Sequence, residues 1–157
     1  MTWKIITDSG CDIKHLESLP EHCTYVNVPL TIHVGEEEFI DNEALEIDQM
    51  MVKIYAYEGK TSSSCPSPES YLQSFEGADN IIVVTITGTL SGSHNSAQLA
   101  KKMYLEEHPE ANIEIIDSLS ASGEMVLLTQ AIATFIKEDP SFEVVVEKAR
   151  NYHSKTK

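Results

Sequence analysis

Three segments of this sequence are built from the same materials: Thr7-Asp8-Ser9-Gly10, Thr87-Gly88-Thr89-Leu90-Ser91-Gly92-Ser93 and Asp117-Ser118-Leu119-Ser120-Ala121-Ser122-Gly123. Hydroxyls, glycine and the exposed amides of a helix start are the groups that cradle a small anion. The amides carry partial positive charge, and glycine lets a ligand approach the backbone. Ser91-Gly92-Ser93, ahead of a helical stretch, supplies all three. A fourth cluster, Thr61-Ser62-Ser63-Ser64, precedes Pro66-Ser67-Pro68 and is expected to converge on the same crevice. Serine and threonine also cap helices and fill turns when no ligand binds, so each segment taken singly is a cap; together on one sheet edge they point to binding.

None of these segments contains lysine or arginine, and the only arginine of the chain is Arg150. A multiply charged phosphate would be poorly neutralised there, and the lysine of a phosphate loop and the glycine spacing of a dinucleotide fingerprint are both missing. A singly charged carboxylate held by neutral donors is the expected ligand. Ser91 with His94 one helical turn away offers an alternative, a serine hydrolase, but Gly88-Thr89-Leu90-Ser91-Gly92 misses the nucleophile-elbow pattern by one residue. The other histidines lack ligand spacing, and Asp8 and Asp12 are commonest as turn formers, so neither a metal nor any cofactor is expected.

The elements that must position these groups follow from periodicity. A first strand is predicted over Trp3–Thr7, and a second extended stretch over 24–34, with Gly35 turning it into a hairpin added to the main sheet. Ile47, Met50, Met51, Ile54 and Tyr55 recur at helical spacing, with Gly59 as the left-handed residue ending that helix. Ser67-Pro68-Glu69 starts another, running to about Gly77. Asn80–Thr87 has no alternation, which suits a strand covered on both faces. A helix with Ala97, Ala100, Met103 and Tyr104 inward, a strand over Ile113–Ile116, a buried helix over 121–137 and a last helix over 141–152 complete the pattern. Alternating strands and helices imply a three-layer α/β/α sandwich with a mainly parallel sheet, whose ligands lie beyond the carboxyl ends of the strands.

The chain of 157 residues fits one domain. Its formal charge of −14, from 11 basic and 25 acidic residues, repels phosphate backbones, so nucleic acid is a poor partner. The mean hydropathy is −0.19 and no transmembrane segment is expected. Three unpaired cysteines and an amino terminus without signal-peptide layout predict a cytoplasmic protein.

Thr7-Asp8-Ser9, Ser63-Ser64-Cys65-Pro66-Ser67-Pro68, Leu90-Ser91-Gly92-Ser93 with Asn95-Ser96-Ala97, and Ile116-Asp117-Ser118 with Ser122-Gly123 resemble the DegV family in order and spacing. The resemblance spans essentially the whole chain. It implies a DegV-like amino-terminal α/β domain over residues 1–157, with the family's second, carboxyl-terminal domain absent. It also implies a non-catalytic lipid-binding protein that takes a long-chain fatty acid between the domains and presents it to a fatty-acid kinase catalytic subunit. By the same resemblance Ser91 and Ser63 hold the carboxylate. Thr61, Ser62, Ser64, Gly92, Ser93, Asp8, Ser9 and Ser118 line the site. Ser63 stands where threonine is common, Ser93 and His94 where threonine and an aromatic residue are common, and Met125 near a frequent glycine. The chain stops at Lys155-Thr156-Lys157, where a family member would continue, so a fragment with weakened binding is expected. A third alternative is an interaction domain without ligand, self-associating through the surface the missing domain would cover.

Overall fold

The computed structural model describes residues 1–156. In chain order it comprises β1 (Trp3–Asp8), β2 (Cys23–Val28), β3 (Thr31–Val34), β4 (Glu37–Ile40), α1 (Ile47–Ala56), β5 (Ser62–Ser64), α2 (Pro68–Phe75), β6 (Asn80–Thr85), α3 (Ser93–Glu107), β7 (Asn112–Asp117), α4 (Gly123–Glu138) and α5 (Phe142–Lys155). Strands β2, β1, β6 and β7 lie side by side in that order, all parallel.

Residues alternate between the faces of a strand, and here both faces are covered. Ile5, Ile82, Val84 and Ile116 pack with Met125, Leu128 and Ile132 of α4 and Val145 and Ala149 of α5. Their neighbours Ile6, Ile81, Val83 and Ile115 pack on the opposite face with Tyr71 and Phe75 of α2 and Ala97, Ala100 and Tyr104 of α3. This is the expected three-layer α/β/α sandwich, and it explains why β6 shows no polar alternation. From β1 the chain moves outward to β2, then crosses back to β6 on the other side of β1. The order therefore reverses between β1 and β6, which opens a crevice beyond their carboxyl ends.

The sequence-based boundaries need four corrections. The extended stretch after Cys23 does not add a hairpin to the main sheet. It leaves that sheet at Pro29, where the β1–β2 pairing ends at Asp8 and Val28, and the following β3–β4 hairpin joins β5 in a separate antiparallel sheet of order β4-β3-β5. Proline has no amide to continue a ladder, so the break falls there. Helix α1 ends at Tyr57 in extended backbone rather than at a left-handed Gly59, the Tyr57 amide bonding back to Lys53 and Ile54. Its apolar pattern also overstates its packing, since only Met50 is buried. Met103 is largely exposed on α3, because Ala97, Ala100 and Tyr104 already fill the inward stripe.

Among the described residues, no helix is long and apolar enough to cross a membrane. The burial pattern makes a direct contrast. Ile82→Ala, in the centre of the sheet, is expected to cost about 2–5 kcal/mol in chemical denaturation, whereas Val52→Lys on the exposed side of α1 should stay within about 0.5 kcal/mol of the unmodified protein.

Candidate functional site

The carboxyl end of β1 delivers Asp8, an acid with no exposed surface, into the crevice between β1 and β6. Its Oδ2 accepts the Ile86 amide at 2.9 Å, and its Oδ1 accepts the Gly10 amide at 3.0 Å. Ser93 donates its hydroxyl to Oδ2 at 2.5 Å, and the Tyr71 hydroxyl lies 2.6 Å from Ser93 Oγ. A carboxylate only accepts, so the ionised acid orders the chain: Tyr71 donates to Ser93 and Ser93 to Asp8. Burial pushes the Asp8 carboxyl above its ordinary range, while Ser93, the Ile86 and Gly10 amides and Lys14 pull it back. Gly10 is required by closeness: a Cβ there would lie 2.9 Å from both Asp8 Oδ1 and Ile86 Cβ. One side chain thus ties together β1, the end of β6 and the start of α3, with α2 joined through Tyr71.

Fixing Ser93 fixes the helix start beside it. Ser91 Oγ accepts the Ser93 amide at 3.2 Å, which leaves its own proton free to donate outward. The Leu90 and Ser91 amides close a turn onto the Thr87 carbonyl. The amides of Gly92, His94 and Asn95 have no acceptor among the described residues. These unpaired donors at the positive end of a 15-residue helix, together with the Ser91 hydroxyl, make an electropositive cradle from neutral groups. The β5 exit closes one side, because Cys65 Sγ would lie 3.1 Å from a Cβ on Gly92 and stands 3.9 Å from Ser96 Oγ. Within β5, alternation puts Ser63 on the face opposite Ser62 and Ser64.

The residues singled out from sequence divide into two groups. Ser91 and Gly92 are accessible at the cradle, and Ser63 and Thr61 are exposed on the adjoining strand and its approach. Asp8, Ser9, Ser93 and Ser118 are buried supports instead of lining. Ser9 Oγ accepts the Leu30 amide, and Ser118 Oγ bonds both the amide and the carbonyl of Ser120. Ser64 Oγ is 2.8 Å from His33 Nε2 in the antiparallel sheet, which turns it from the cradle, and Ser62 is exposed beside it. The hydrolase alternative fails on geometry. His94 Nδ1 lies 3.3 Å from Thr85 Oγ1 and Nε2 3.4 Å from Gln98, while Ser91 Oγ faces the Ser93 amide, so no base reaches the hydroxyl. Tyr71 escaped sequence reasoning, since at its position in an amphipathic helix it is indistinguishable from core, and nothing local signals where its hydroxyl goes. Asp117, which accepts the Gly88 and Leu119 amides and so joins the β6 and β7 tips, stood in the third hydroxyl and glycine segment and in a family-like motif without a role of its own.

A sequence model described as an uncharacterised protein of the DegV family matches residues 2–157. The chain belongs to the DegV family. Over all 157 residues it is 60% identical to a DegV domain-containing protein of Streptococcus gordonii, covering 56% of that protein. It is 56% identical to the DegV domain-containing protein spr0652 of Streptococcus pneumoniae, again covering 56%. It therefore spans a little over half the length of these DegV relatives. Among solved DegV-type structures it superposes at TM-score 0.96 and 55% identity on the fatty acid kinase (Fak) B3 protein of Streptococcus pneumoniae loaded with linoleic acid, covering 98% of this chain and 55% of that one. A DegV family protein of Eubacterium eligens loaded with heptadecanoic acid superposes at TM-score 0.92 and 36% identity, with 98% and 54% coverage.

The Asp8 network yields a stability prediction. Asp8→Ala leaves two amides and a hydroxyl without their acceptor and should cost at least ~3 kcal/mol in denaturant unfolding. A carboxyl raised in the folded state binds its proton more tightly there than in the unfolded chain, so its ionisation weakens folding as pH rises. Relative to Asp8→Asn, the unmodified protein should lose stability from about pH 4 upward through the raised Asp8 value; parallel stability–pH curves for the two would contradict this.

Proposed function

We propose that this chain forms the head-group-binding half of a long-chain fatty-acid carrier, which presents the acid to a separate kinase subunit and performs no chemistry itself. The observation that carries the proposal is the cradle at α3, in which Ser91 Oγ and the first-turn amides offer several neutral donors without a lysine or arginine. Such a set suits one negative charge better than the two of a phosphate monoester. The fatty acids bound by the Streptococcus pneumoniae and Eubacterium eligens proteins support the same ligand class, and the name of the former supports the kinase connection. Ser91 and Gly92 hold the carboxylate. Ser63, exposed on the neighbouring β5, is assigned the second hydroxyl on the family resemblance. Leu90 and Leu119, 77% and 52% exposed at the β6 and β7 tips, are placed to meet the first methylenes of the acyl chain.

Energetics divide the work between head and tail. Each buried methylene contributes about 0.8 kcal/mol, so a long acyl chain gains roughly 10 kcal/mol when fully enclosed. Hydrogen bonds to a charged head give ~1.5–3 kcal/mol each, which orients the acid more than it retains it. The remaining length of the DegV relatives supplies the other wall of the acyl tunnel. The cytoplasm, where acyl chains are activated with ATP, is the compartment this role requires.

Titration calorimetry with oleate should find this chain binding orders of magnitude more weakly than the full-length Streptococcus gordonii relative. Ser91→Ala should weaken the remaining affinity by a further ~10-fold or more. Equal affinities for the two proteins, or an unaffected Ser91→Ala variant, would refute the proposal.

A further inference from the structure

The buried acid and the proposed head-group site share one residue. Ser93 touches Asp8 through its hydroxyl at 2.5 Å and Ser91 through its amide at 3.2 Å. A ligand carboxylate held by Ser91 Oγ and the Gly92 amide is therefore linked to the Asp8 carboxylate through three hydrogen bonds, by way of Ser91 and the buried Ser93. Two negative charges so arranged oppose each other more strongly than they would in water. We infer, on the basis of the head-group site proposed above, that Asp8 is the positioning residue of that site and binds its proton more tightly when a carboxylate docks at Ser91 and Gly92.

The hydroxyl chain from Tyr71 through Ser93 to Asp8 can reverse its direction when Asp8 is protonated. With Asp8 ionised, hydroxyl protons point from Tyr71 to Ser93 to Asp8. With Oδ2 protonated, Asp8 donates to Ser93 Oγ and the Ser93 proton turns toward Tyr71 Oη, so the Tyr71 proton gives up Ser93 as its acceptor. The Ile86 and Gly10 amides keep their acceptors in both states, and the Ser93 amide keeps Ser91 Oγ. Asp8 thus holds the cradle in place whether or not it carries charge.

The surrounding groups leave Asp8 as the one that responds. Lys14, from the loop after β1, is its nearest favourable charge but is itself bound to Asp41 at 3.1 Å. Asp12 in the same loop is bonded to Ser122. Burial holds the Cys11 thiol neutral, and the Tyr71 phenol on α2 is driven still further from ionisation. His94 on α3 faces Thr85, Cys65 beyond β5 faces Ser96, and Asp117 on β7 is taken up by the Gly88 and Leu119 amides. By linkage, a ligand that raises the proton affinity of Asp8 binds more tightly when Asp8 is already protonated.

The test uses the 157-residue chain with side-chain carboxyl carbons labelled with carbon-13, the Asp8 signal assigned through bonds, and decanoate as probe. In nuclear magnetic resonance titrations the Asp8 midpoint should rise by about one pH unit or more on saturation with decanoate. Saturable amide shifts at Ser91–Asn95 with an unmoved Asp8 midpoint would overturn the coupling and leave the head-group site standing. No saturable shift at those amides would overturn both.

Discussion

A carboxylate with no solvent around it is costly, and Asp8 persists at the tip of β1 only because four elements converge to satisfy it. That requirement organises the crevice. The Ile86 amide binds the end of β6 to β1 where the strand order reverses, the Gly10 amide forces the tight exit of β1, and Ser93 brings α3 in with its first turn pointing outward. Tyr71 extends the constraint to α2. The accessible donors at Ser91 and Gly92 are consequently held by groups that cannot themselves touch a ligand. A rigid scaffold buried under a small exposed set of donors is how a weakly charged head is oriented without cationic side chains.

The strongly acidic surface fits this division. A net charge of −14 works against accumulation of anions in general, so under the proposed function an acid would be drawn to the cradle by its apolar tail and oriented by local donors. Neutral hydroxyls and amides would also keep the head-group attraction modest, in line with the proposed carrier role. Affinity built mostly from tail enclosure can be adjusted by the fit of the enclosing walls while the head stays in register.

Much of this was legible in the residues. The uninterrupted Ile81–Val84 run placed β6 in the centre of a covered parallel sheet, and the repeated hydroxyl and glycine segments do follow the carboxyl ends of β1, β6 and β7. The separation of lining from support was not legible. Ser91 and Ser93 are two residues apart with the same side chain, yet Ser93, the first residue of α3, is sealed against Asp8 while Ser91 stands in the loop before the helix and is only half-buried. Asp8 looked like a turn residue, since a turn and a buried acceptor use the same local pattern. Pro29 was the overlooked stop that sent the hairpin out of the main sheet, and α1 showed that helical periodicity predicts a helix without predicting what it packs against. Long-range hydrogen bonds such as Ser93 to Asp8, 85 residues apart, leave no local trace at either end.

The most direct test of the head-group cradle is a crystal structure of this chain grown with a terminally brominated long-chain acid, whose bromine marks the tail by anomalous scattering. The carboxylate oxygens should lie within hydrogen-bonding distance of Ser91 Oγ and the Gly92 amide, with the chain leaving past Leu90 or Leu119. A carboxylate bound elsewhere, with Ser91 still turned only to the Ser93 amide, would contradict the account.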